Sequence, residues 1–131
     1  MTEDIRWKQR YSNFKKAGAQ LTEFIDKGTL NKFEVQGLFQ CFEYTFELAW
    51  KVLKDYLYEE GLEVNTPRKI IQESFRVGIL NNGHVWIDAL QKRNLIAHTY
   101  DENFAKQAET LIRESYYPAI IELLATLEEL L

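Results

Sequence analysis

The sequence predicts an all-α protein: an antiparallel, up-and-down bundle of four main helices with one short crossing helix. Three features of the chain carry that expectation. Apolar residues recur at spacings of three and four over long stretches, and no segment alternates apolar and polar residues with a period of two. Gly28, Gly61, Gly78 and Gly83 punctuate the chain where those stretches end. Hydrophobic residues make up 46% and aromatics 14% of 131 residues, enough to bury a core. A chain of this length suits one domain over residues 1–131, since domains cluster at about 100–150 residues.

Each element follows in order. A first helix is expected from about Glu3 to Phe24, with Trp7, Tyr11, Phe14, Leu21, Phe24 and Ile25 near helical spacing. Asp26-Lys27-Gly28-Thr29 ends it, and Asn31 with Glu34 three residues on reads as a capping box. The second helix runs from about Lys32 to Glu60, about 43 Å at 1.5 Å per residue. Its wide apolar stripe includes Leu38, Phe39, Phe42, Phe46, Ala49, Trp50 and Leu53. Thr66-Pro67 supplies a cap and a proline in the first turn of a short third helix with Ile70, Ile71, Ser74 and Phe75, which closes at Gly78. A fourth helix, from about His84 to Ala97, is expected to bury Trp86 or Ile87, Leu90 and Leu95. Thr99-Tyr100-Asp101 breaks it. The last helix begins near Asn103 and runs to the end, and Pro118 inside it should kink or interrupt the ladder.

Composition removes several classes of function. The formal charge is −4, which speaks against a protein that coats nucleic acid, because such binding needs a basic surface. One cysteine, Cys41, cannot form an internal disulfide and reads as a small buried hydrophobe. With two histidines it makes a poor zinc set, so no metal or cofactor is expected. No apolar run approaches a membrane span, and the opening Met-Thr-Glu-Asp-Ile-Arg-Trp-Lys has no leader-like core. A cytoplasmic location is the expectation. The charge is uneven, however: residues 66–100 sum to +3 and the remainder to −7.

The common catalytic signatures are absent, whether glycine-rich phosphate loop, nucleophile elbow or metalloprotease motif. One segment of the basic stretch stands out, Lys92-Arg93-Asn94-Leu95-Ile96-Ala97-His98-Thr99-Tyr100-Asp101. Asn94 and His98 are four apart and share a helical face. Arg93 offers a cationic fork for phosphate, Asn94 a neutral donor and acceptor, and His98 a proton carrier near neutral pH. Tyr100 adds a hydroxyl and a stacking surface. Together these groups suit holding a phosphodiester and moving protons without a metal. The plainer reading is that His98 complements the helix C-terminus while Arg93 and Asn94 are solvated.

Arg93-Asn94-x-x-x-His98-x-Tyr100 resembles the R-x4-6-H signature of the HEPN superfamily, in its R-N-x3-H-x-Y form. The stretch from Phe42 to Leu57 is similar to the long second helix of that superfamily's nucleotidyltransferase substrate-binding branch. Thr66-Pro67-Arg68, Ile70-Ile71, Ser74-Phe75, Gly78-Ile79 and Trp86 follow in the same order. The resemblance implies a homodimer that joins two signatures across a cleft and associates with a separate minimal nucleotidyltransferase. It also implies a nucleotide or RNA phosphate as ligand and, in toxin–antitoxin branches, a metal-independent ribonuclease. Arg93 and His98 would then be catalytic, Asn94 would orient them, and Tyr100 would be the AMP acceptor. The stripe Glu43, Glu47, Lys51 and Lys54 would line the cleft, with Lys51 and Lys54 as binding residues; by spacing alone it is a solvated face.

Overall fold

The structure, a computed structural model, describes the backbone of residues 3–97 and 101–131 and the side chains from residue 6 onward within them. Its elements are α1 (Glu3–Lys27), α2 (Lys32–Glu59), α3 (Pro67–Arg76), α4 (Gly83–Ala97), α5 (Glu102–Leu111), a π-helical turn (Ile112–Tyr116) and α6 (Tyr117–Glu129). Among the described residues there is no strand, and no helix is long and apolar enough to cross a membrane.

Local sequence explains the boundaries. Asn31 accepts from the Glu34 amide at 2.8 Å while Glu34 accepts from the Asn31 amide at 2.9 Å, the expected capping box. At the far end of α2, Gly61 adopts φ +92°, which a side chain would resist. The chain then turns so that the Leu62 amide donates to the Leu57 carbonyl at 2.8 Å. Thr66 caps α3, with Pro67 in its first turn where no amide hydrogen is needed. The Asp101 carboxylate accepts from the amides of Asn103 and Phe104 and starts α5.

The four long elements pack up and down. Arg10 on α1 pairs with Asp55 on α2 at 2.7 Å, and Cys41 lies against the Ala17 carbonyl, so residue numbers run in opposite senses along the two helices. The Tyr11 hydroxyl donates to Glu128 at 2.6 Å and Thr22 meets Tyr117 at 2.7 Å, setting α1 antiparallel to the last rod. Gly18 permits this approach, because a Cβ there would lie 2.7 Å from Leu124 Cδ1. One continuous core results, built from Trp7, Phe14, Leu21, Phe39, Phe42, Phe46, Leu53, Trp86 and Ile120 among others.

Pro118 acts as expected, one turn early. It cannot donate to the Glu114 carbonyl, and the ladder ahead of it widens, with the Tyr117 amide bonding back to Ile112. The rod stays continuous through this turn.

One burial expectation is corrected. α4 buries Trp86, Ala89 and Ile96 and leaves Leu95 56% exposed. The helix is short and mixed in composition, so its own periodicity allowed two phases. Stacking of Trp86 on Phe46, with ring centroids 5.5 Å apart, selects the phase that turns Leu95 outward.

Candidate functional site

The chosen phase of α4 has a chemical consequence. Arg93 falls on the inward stripe, seven residues after Trp86, four after Ala89 and three before Ile96. Its side chain is therefore only 22% exposed, and Nη1 donates to Glu47 Oε2 on α2 at 3.2 Å. The same carboxylate oxygen accepts from Trp50 Nε1 at 3.4 Å, while the other faces Lys51 at 3.9 Å. A planar fork on a helix seam, gripped at one nitrogen, is fixed in orientation.

Beyond Arg93 the seam between α2 and α4 opens into a hollow of about 430 Å³ lined by Gln40, Glu43, Tyr44, Glu47, Arg93 and Asn94. Gln40 Nε2 donates to the Ala97 carbonyl at 3.1 Å, tying the last turn of α4 to α2. Asn94 is exposed at the rim. The structure thus brings together Arg93, Asn94 and, through Glu47, Lys51. It does not bring Lys54 to them: Lys54 lines a separate hollow with Arg6, Asp55, Tyr58 and Glu63. His98 and Tyr100 lie outside the described residues.

The basic stretch seen in the sequence is not a free basic face. Lys92 bonds Asp88 at 2.9 Å, Arg76 bonds Glu73 at 2.7 Å, Lys69 approaches the same Glu73, and Arg93 bonds Glu47. Glu73 and Asp88 are already subtracted in the +3 of residues 66–100, so Glu47, on another helix, is the partner here that offsets charge the count leaves positive. Arg93 is the member of this stretch that both pairs across helices and lines the α2–α4 hollow.

One turn deeper, α4 is locked from its other side. The Tyr116 hydroxyl, in the π-helical turn, donates to Asp88 Oδ2 at 2.5 Å, and the Tyr116 ring stacks on Phe42 with centroids 5.3 Å apart. That hydroxyl bond and the Lys92 ammonium hold the Asp88 carboxyl below its usual range against the opposing effect of burial. Burial, then the Asp88 carboxylate, pushes the Tyr116 hydroxyl up. Cys41 is not fully buried: it is half-buried between α1 and α2, and desolvation raises its thiol pKa, which suits an unreactive side chain.

Sequence reading missed the role of Glu47 and the Asp88–Tyr116 lock. Glu47 is 46 residues from Arg93 and Asp88 is 28 from Tyr116. The available signal was the polar stripe Gln40, Glu43, Tyr44 and Glu47 on α2, off the face that carries Phe39, Phe42 and Phe46.

The fold is an all-α helical bundle of the HEPN type. The chain belongs to the family described as nucleotidyltransferase substrate binding protein like, whose model matches residues 9–129. It is 26% identical over 92 residues to a Haemophilus influenzae protein named "Probable ribonuclease HepT", the match covering 63% of each chain. A crystal structure of a Thermus thermophilus protein superposes with a TM-score of 0.78 at 33% identity, covering 86% of this chain and 96% of that one.

Proposed function

We propose that the chain is a homodimeric HEPN-type subunit that associates with a separate minimal nucleotidyltransferase and holds a nucleotide or RNA phosphate in the α2–α4 hollow. The supporting observation is Arg93, whose guanidinium is partly desolvated, oriented by Glu47 and directed at a hollow that Asn94 also lines. A partly buried, preorganised fork binds phosphate better than a solvated one, because less side-chain freedom is lost on binding. A single such cation is also why a twofold partner matters, since a second copy would double the charge facing one phosphate. Asn94 supplies neutral hydrogen bonds at the rim. Tyr100 would be the acceptor if the partner transfers AMP.

A second reading is a metal-independent endoribonuclease, favoured by the printed name of the Haemophilus influenzae relative. In it the RNA 2′-hydroxyl attacks the adjacent phosphorus as the bond to the 5′-oxygen breaks, leaving a 2′,3′-cyclic phosphate and a 5′-hydroxyl. His98 would take the proton from the 2′-hydroxyl or return one to the leaving oxygen, and Arg93 would stabilise the charge gathering on the phosphate.

Incubation of the purified protein with RNA in excess chelator, followed by filter binding, tests both. Cleavage by the wild type that falls at least about 100-fold in His98→Ala and Arg93→Ala supports the enzyme. Binding without cleavage, lost in Arg93→Ala, supports the phosphate-holding subunit. A well-folded protein that neither binds nor cleaves RNA or nucleotide, whether alone or with its nucleotidyltransferase, overturns both.

A further inference from the structure

The hollow beside Arg93 shares two lining residues with a larger one. An open hollow of about 690 Å³ lies between the C-terminal half of α1 and the start of α2, and Gln40 and Tyr44 line both it and the Arg93 hollow. Tyr44 is 57% exposed on the ridge between them, a large aromatic ring left in solvent on a helix whose other face buries Phe39, Phe42 and Phe46. From this arrangement we propose that the larger hollow is a nucleobase subsite, in which Tyr44 stacks on the base whose phosphate Arg93 holds. The inference rests on the phosphate-holding reading of Arg93.

The lining matches a base rather than another phosphate. Its walls are Phe24 and Cys41 on the apolar side and Gln20, Glu23 and Gln40 on the polar side. Lys27, the cation in the lining, is engaged by Glu34. A flat, neutral base finds there an aromatic face, amide groups and a carboxylate that accepts N–H donors. Glu23 has no ion-pair partner among the described residues, so its carboxylate is available for an exocyclic amino group. Ligand sites commonly occupy about 300–1,000 Å³, and unstacked bases are recognised by aromatic stacking together with hydrogen bonds to their edges. Adenine, cytosine and guanine carry such an amino group; uracil has none, and its N3–H is flanked by two carbonyl oxygens that Glu23 would repel.

The subsite also explains the polar stripe on α2. Gln40, Tyr44 and Glu47 are spaced four and three apart, so they stand in one row along the helix. That row runs from the base hollow, through the stacking ring, to the group that orients Arg93.

The test uses the full chain and 2′-O-methyl pentanucleotides, which keep every phosphate yet lack the hydroxyl needed for cleavage. Affinity is measured for penta-A, penta-C, penta-U, an abasic pentamer and free AMP, with wild type, Tyr44→Ala, Tyr44→Phe and Arg93→Ala. The expected order in the wild type is penta-A and penta-C above penta-U, with the abasic strand weakest by about tenfold or more, the scale of one stacked base. Tyr44→Ala should lose that same factor on penta-A and nothing on the abasic strand, and Tyr44→Phe should keep it. AMP that binds with the same Tyr44 dependence as penta-A identifies a free nucleotide as the source of the base; strand binding without AMP binding identifies RNA. Arg93-dependent binding that is indifferent to both base and Tyr44 overturns the subsite alone. No binding of any probe overturns the phosphate reading with it. Tyr44 is exposed, so unchanged thermal unfolding of its variants confirms that folding is not the cause.

Discussion

Asp88 and Arg93 stand five residues apart on one helix, and each meets an opposite partner, yet their surroundings differ. Asp88 is bonded by both Tyr116 and Lys92, and the ring that carries its hydroxyl donor is stacked on Phe42. Arg93 is gripped by Glu47 on one side and faces an open hollow on the other. The first arrangement closes the bundle; the second presents a charge. The difference teaches that α4 is tied to the rest of the bundle about one turn and a half before the residue it presents.

The comparison can be broken from either end. The largest effect is expected from Phe42→Ala, which removes the wall behind Tyr116 and should cost about 3–5 kcal/mol in denaturant unfolding. Tyr116→Phe removes the hydroxyl and leaves Asp88 with Lys92, for an expected loss of about 1–2 kcal/mol. That loss should depend on pH in a stated sense. The Asp88 carboxyl is held low when folded, so its contribution is complete above the ordinary carboxylate range and disappears as pH falls through the depressed value. Tyr116 is pushed up when folded, so it stays protonated and bonded at neutral pH. The stability gap between wild type and Tyr116→Phe should therefore be flat near neutrality and narrow below about pH 4.

Smaller changes are expected at the presenting end. Arg93→Ala should alter stability by no more than about 1 kcal/mol, because Glu47 is left well solvated, while ligand binding is lost. An Arg93→Ala variant as unstable as Phe42→Ala would show that the seam is a structural ion pair and not a presented one. Leu95→Gln should change stability by less than about 0.5 kcal/mol, since the side chain lies in solvent. A larger loss would restore the phase of α4 in which Leu95 is buried.

Much of the fold was legible in the chain. The capping box at Asn31 and Glu34, the Thr66-Pro67 start, the stop at Gly61 and the stripe through Phe39, Phe42 and Phe46 are local signals, and local hydrogen bonds and spacing are what short windows of sequence encode. The disturbance near Pro118 belongs with them, because a missing amide acts within one turn. Arg93 was legible as a residue type at a recognised spacing. Its partner was not, because Glu47 reaches it across 46 residues of chain.

By itself, then, the sequence determined the helices, their order, the core-forming face of α2 and the candidate residues Arg93 and Asn94. Tertiary structure alone decided the phase of α4, the pairing of Arg93 with Glu47, the exclusion of Lys54 from that seam and the ring of Tyr44 between two hollows. The reason is physical. Helix formation depends on neighbours three and four residues away, whereas the rotation of a short mixed helix depends on which of two nearly equal faces finds the better partner. Here the stacking of Trp86 on Phe46 supplied that partner, and Arg93 was carried inward with it.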